Sequence, residues 1–202
     1  MPVHKSPLAQ FILIVLGIIL LVVFGPEERT LGSDVRIVYL HGAWVLAAEF
    51  TFLLSGLTGL IGLITNREGY HKWSAALGRA ATLFWLTYLP LSLWAMQSNW
   101  NGLFLAEPRF RLASVFAIAG LLLQAGLWFL NNQRLISAAN LSFITLLGFA
   151  FSKAEYVMHP PPSPIFNSGL PWVMLFFLLI TLASCAAAFC LARWFHSQTR
   201  IG

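Results

Sequence analysis

The stretch RIVYLHGAWVLAAEFTFLLSGLTGLIGLIT (36–65) decides the fold. A membrane-crossing helix needs about 20 predominantly apolar residues, and this segment exceeds that length with few polar interruptions. Working outward, five further apolar runs qualify: about 8–25, 73–96, 111–131, 134–158 and 170–195. The connections between them are short, and the chain has no internal repeat and no low-complexity segment. The pattern predicts an all-α integral membrane protein, a single membrane domain over 1–202 built as a six-transmembrane-helix bundle.

Composition agrees. The 202 residues are 58% hydrophobic and 9% charged, with a mean hydropathy of +0.77; a soluble domain carries roughly a quarter charged residues. The net charge of +5 comes from basic residues scattered singly between apolar runs. That distribution suits membrane lipids and topology signals, and it argues against nucleic acid as a partner. Cys185 and Cys190 lie inside one apolar run, with no C-x-x-C-H for covalent haem attachment, and read as packing residues. The first run has no A-x-A-like site after it, only PEERTLG (26–32), and reads as a retained span.

HPPPSP (159–164) must be a loop, because consecutive prolines donate no backbone hydrogen bonds. His159, the residue before Pro160, is therefore expected at the end of the fifth helix. The connection at 97–110 mixes Trp, Asn, Gly, Phe and Leu and suits the membrane interface. Six spans put both termini on one side. Lys5, Arg67, Lys72, Arg134, Arg193 and Arg200 fall there, with Arg79 a short way into a span. Arg29, Arg36, Arg109, Arg111 and Lys153 fall opposite, so the excess predicts cytoplasmic termini.

In that topology His41 and His159 both lie near the outer ends of their helices. Two neutral imidazoles at one depth on separate helices are what a six-coordinate haem requires, since its axial nitrogens approach opposite faces of a flat ring. Trp44, Trp94, Trp100 and Phe104 could wall such a disc, and Arg36, Arg109, Arg111 and Lys153 could meet its propionates. Glu155, four residues before His159, could accept that ring's N–H. The cofactor so predicted is haem b, held non-covalently, with His41 and His159 on the iron. The competing reading makes each histidine an interfacial anchor and each tryptophan part of an aromatic belt. His4, His71 and His196 fall on the other side and read as solvated.

Glu49 lies ~12 Å deeper than His41 at the helical rise, where a carboxylate marks function or a buried partner. Arg79 is the tempting partner, but roughly 14 Å of depth separates them. Ser55 and Gly59, four apart, predict close helix packing.

The segments carrying the two histidines, VRIVYLHGAWVLA (35–47) and VMHPPPSP (157–164), give the chain a resemblance to the cytochrome c assembly membrane proteins, specifically the CcmC-type haem-handling protein of bacterial cytochrome c maturation. Order and spacing resemble that family over nearly the whole chain. The resemblance implies six spans, cytoplasmic termini, residence in the bacterial inner membrane, axial haem ligation by His41 and His159, and hand-off of haem to a chaperone with an ABC-type transporter as partner. It implies haem transport rather than catalysis. The family's W-G-x-x-W-x-W-D signature is degraded here to WAMQSNWNGLFLAEPRFRLAS (94–114), which keeps Trp94 and Trp100 and sets Glu107 roughly where the Asp would stand. The alternative is a cytochrome b-type electron-transfer subunit of a larger redox complex; a third reading is an assembly subunit without haem.

Overall fold

The computed structural model describes residues 6–158, 165–166 and 168–198. Every regular element among them is an α-helix: α1 (Pro7–Val23), α2 (Val35–Thr65), α3 (Glu68–Trp100), α4 (Pro108–Leu130), α5 (Gln133–Ser152) and α6 (Pro171–Gln198). Their limits have local causes. Ser6, Glu107 and Asn132 cap α1, α4 and α5 by accepting from Ala9 N, Phe110 N and Leu135 N, and Pro7 and Pro108 open α1 and α4 with the one residue that needs no donor there. Helices α2, α3 and α4 each stop at a left-handed asparagine: Asn66 (φ 58°), Asn101 (φ 52°) and Asn131 (φ 45°). Asparagine tolerates that conformation better than other side chains, so it ends a helix much as glycine does.

Four helices, α2, α4, α5 and α6, are long and apolar enough to cross a membrane, while α1 is apolar but 17 residues long. The outer face of α4 exposes Val115, Ile118, Leu121 and Leu122, each more than half accessible. A continuous apolar face of this kind would associate in water; lipid is its natural solvent.

Helix α3 carries Glu68, Lys72 and Arg79, yet it is the central element, packed against α2, α4, α5 and α6. Protein surrounds it, so it has little need of an apolar exterior. Neighbouring helices gain no hydrophobic drive from one another in lipid, and close van der Waals contact takes its place. The expected approach at Ser55 and Gly59 is present. A Cβ on Gly59 would stand 2.8 Å from Ser137 O and 2.9 Å from Ser74 Oγ, so α2, α3 and α5 meet there nearly backbone to backbone.

Side-chain pairings fix the direction of each helix. Near one end, Arg193 donates to Gln10 Oε1 (3.4 Å) and His71 meets Ser137 (2.7 Å). Near the other, Tyr39 meets Phe176 and His41 meets Tyr88. The start of α1, the end of α6 and the turns at Asn66 and Asn131–Asn132 therefore share one end, the terminal end. Segments 24–34, 101–107 and 153–158 share the other, the loop end. The 24–34 loop is stapled to α2 by Arg36 Nε on Gly25 O (3.1 Å) and Tyr39 OH on Pro26 O (3.3 Å). Glu28 folds it internally by accepting from Thr30 N and Leu31 N, and these two bonds hold its carboxyl below the usual range.

Two boundaries depart from the sequence reading. Helix α3 begins before Trp73 and runs on to Trp100, shortening the connection to 101–107. Helix α5 stops at Ser152, not 158. Lys153 N and Ala154 N turn back to the third preceding carbonyl, Ala150 O and Phe151 O, tightening the last turn. Lys153, Glu155 and Tyr156 beyond it are exposed and charged or polar, which ends the apolar run that had been read as continuous.

Candidate functional site at the loop end

His41 lies on α2 six residues after Val35, about 9 Å along the axis from the helix start. Its ring is half-buried and faces the bundle, 5.5 Å from the Tyr88 ring at 36°. Tyr88 in turn packs edge-on against Trp85 (5.1 Å), whose indole donates to Ala113 O (3.0 Å) and whose other edge meets Phe151 (5.8 Å). An imidazole beside this wall from α3, α4 and α5 is held by protein on that side.

Charged groups collect around Tyr88. Glu49 lies two turns deeper on α2 and is half-buried. The cation acting on it is Arg109, from the first turn of α4, not Arg79. Glu107, 6% exposed, accepts from Phe110 N through Oε2 at 2.6 Å, while its Oε1 is buried without a hydrogen-bond partner among the described residues. The fields of Glu49 and Glu107 both reach Tyr88. The acid-then-proline pair 107–108 was the sequence signal for this cap.

The other expected site residues divide. Trp100, the last residue of α3, and Phe104 of the 101–107 connection pack edge-to-face at 5.8 Å. Phe104, Leu103 and Leu105 are exposed at that end. Arg111 and Lys153 are exposed there too, Lys153 lying 5.9 Å above the Phe149 ring. Trp44 is turned away from this layer. Its indole donates to Thr87 Oγ1 (2.9 Å) and stacks on Phe84 at 4.3 Å, against α3 and beside α1. Trp94 is 60% exposed on the outside of α3. Arg36 is engaged with Glu27 (3.3 Å) as well as Gly25. Glu155 is in coil, so the shared helix face expected to align it with His159 is absent. His159 itself lies outside the described residues.

No three His, Cys, Asp or Glu side chains converge among the described residues. A porphyrin needs no such group, because its own nitrogens fill four iron positions and the protein supplies the axial ones.

The terminal half holds a polar network that the sequence reading overlooked. Ser55 donates to Ser74 O (2.8 Å) and Ser74 to Ser55 O (2.9 Å). Asn140 donates to Ser74 O (2.9 Å) and accepts from Gln124 (2.9 Å). His71, read as solvated, is 4% exposed and bonded to Ser137. It sits inside α3 because the helix starts at Glu68 and turns that residue inward. His196 is also half-buried, stacked on Trp73 at 4.4 Å. His4 lies outside the described residues.

The chain matches no protein-family model, no curated protein and no solved structure. Its all-helical fold and apolar helices give it the character of a multi-pass membrane protein.

Proposed function

We propose that the protein is a haem-handling membrane protein, similar in role to the CcmC-type members of the cytochrome c assembly family, with six spans, cytoplasmic termini and a bacterial inner-membrane location. The observation that carries the reading is His41. It is an imidazole on the loop-end part of a long apolar helix, turned toward an aromatic wall. The chain's own groups suit one side of a porphyrin. His41 would ligate the iron, Trp100 and Phe104 would cover apolar ring surface, and the exposed Arg111 and Lys153 would meet propionates at the water boundary. Trp44, Trp94 and Arg36 have other engagements and drop out of the proposed set, as does Glu155 as a partner of His159. His159 is the proposed second axial residue. Haem in this reading is cargo, received and given up to a chaperone with the help of an ABC-type transporter.

A spectrum of the purified protein with and without dithionite tests this. Low-spin haem bands are expected, lost or shifted in both His41→Ala and His159→Ala. A colourless preparation, or bands unchanged in both variants, would end the proposal. The Glu49, Glu107 and Arg109 cluster around Tyr88 favours a second reading, an electron-transfer subunit among redox partners, because ionisable groups near a haem couple its potential to protons. Transfer of haem to an apo-acceptor separates the two: a delivery protein loses its colour and an electron carrier keeps it.

A further inference from the structure

Protein surrounds α3 except along one stripe. Helices α4 and α6 both pack on it but do not touch each other among the described residues. On the α4 side a Cβ at Gly120 would meet Thr82 (3.8 Å), and on the α6 side Trp73 stacks on Phe189 (5.8 Å). At 3.6 residues per turn, the surface between those two sides carries Arg79, Leu83, Thr87, Pro90 and Trp94. Arg79 is half-buried and the other four are exposed.

The stripe is poorly made for lipid. Pro90 has no N–H to give Leu86 O, so that carbonyl loses its helical donor. Thr87 turns its hydroxyl back onto Leu83 O (2.7 Å), and beside it an apolar groove of about 210 Å³ runs between α1, α2 and α3. Arg79 stands about 16 Å along α3 from Glu68. It makes no hydrogen bond and no ion pair among the described residues, and its guanidinium nitrogens are not sealed inside the bundle.

An arginine within the apolar layer is costly until an opposite charge or a polar group meets it. The chain has seven acidic residues, and none meets Arg79. Glu27, Glu28, Asp34, Glu107 and Glu155 lie at the loop end. Glu68 is engaged by Lys72 (2.9 Å), and Glu49 is turned toward Tyr88 and Arg109. A second copy brings the same seven, similarly engaged, so the missing carboxylate belongs to a different polypeptide. A lipid phosphate would answer Arg79 alone. A helix laid along the stripe would also cover Leu83, Thr87, Pro90 and Trp94, a length of about 22 Å, and restore the close packing that the rest of α3 has.

We propose that the open stripe of α3 seats a transmembrane helix of another polypeptide, one that carries an aspartate or glutamate at the level of Arg79. The pairing does not depend on haem. The full-length protein, labelled for energy transfer, is placed in phosphatidylcholine vesicles with a leucine-rich transmembrane peptide of about 20 residues bearing one central Glu, or Gln as control. Wild type is expected to associate at least tenfold more tightly with the Glu peptide. Arg79→Leu should abolish that preference and Arg79→Lys should keep it. Without any peptide, Arg79→Leu should resist SDS at least as well as wild type, since no internal partner is lost. Equal association of the two peptides, a preference that survives Arg79→Leu, or a less stable Arg79→Leu would each overturn the proposal. So would two other occupants. One is phosphatidylglycerol, retained through Arg79 in native mass spectrometry with no preference between peptides. The other is a second copy, seen as energy transfer between labelled chains that both Arg79→Leu and Glu49→Gln remove.

Discussion

The two halves of the bundle treat polar atoms in opposite ways. In the terminal half, Ser55, Ser74, Asn140 and Gln124 are short or neutral side chains, bonded to one another or to backbone across three helix interfaces, and Ser137 meets His71, the one buried ionisable group of that network. In the loop half the polar groups are ionisable and less completely matched. Among the described residues, Glu49 feels the charge of Arg109 without a hydrogen bond, and Glu107 leaves one oxygen unbonded. Matched neutral groups hold helices together, whereas unmatched ionisable groups are costly in a membrane and persist where chemistry uses them. The difference marks the neutral network as a fastener and the loop-half carboxylates as candidates for chemistry.

Substitutions can break that contrast, and the largest effect is expected at Gly59. Leucine there would drive a side chain into Ser137 O and Ser74 Oγ, with about 1–3 kcal/mol lost, seen as a lower midpoint in SDS unfolding. Asn140→Leu comes next. It strands Gln124 Nε2 and removes one donor from Ser74 O, which keeps Ser55, for about 1–2 kcal/mol by the same measurement. If Asn140→Leu is as stable as wild type, the terminal network is not what fastens α3 to α5. Glu107→Ala should remove the α4 cap for about 1 kcal/mol. Glu107→Gln keeps an oxygen for Phe110 N and exchanges the unmatched oxygen for an unmatched amide NH2, so a smaller loss than that of alanine is expected. A loss as large as that of alanine would mean the loop half relies on the charge for its fold.

The smallest effect concerns pH. Lys72, then Gln133, holds the Glu68 carboxyl below its ordinary 4.5. The folded state therefore binds the proton less readily than the unfolded chain. The contribution is fully present above about pH 4.5 and fades as pH falls through the lower folded value. Glu68→Gln should flatten that acid limb of a thermal-stability profile. An identical limb would show that the pair is idle.

Position along a helix was legible in the sequence and azimuth was not. Each apolar run became a helix, and residue count alone placed His41 near one end and set Glu49 below it, because the rise per residue is constant. The face of a residue depends on which neighbours surround the helix. Trp44 was expected on the His41 wall, but α3 and Phe84 take it elsewhere. His71 was read as solvated because the apolar run starts at Trp73, although the helix itself starts at Glu68. The end of α5 was hidden because Ala154 and Tyr156 extend the apolar appearance past Ser152. Ser74, Ser137 and Asn140 carried no signal at all, since neutral side chains barely disturb a hydropathy profile.

Helix α3, the least lipid-like of the long helices, is made before α4, α5 and α6, three of the four that enclose it. During synthesis the half-finished chain therefore holds Lys72 and Arg79 against lipid or the insertion machinery until its later neighbours arrive. A chain stopped at residue 107 should be a substrate for membrane quality control, while one completed through Gln198 should escape it.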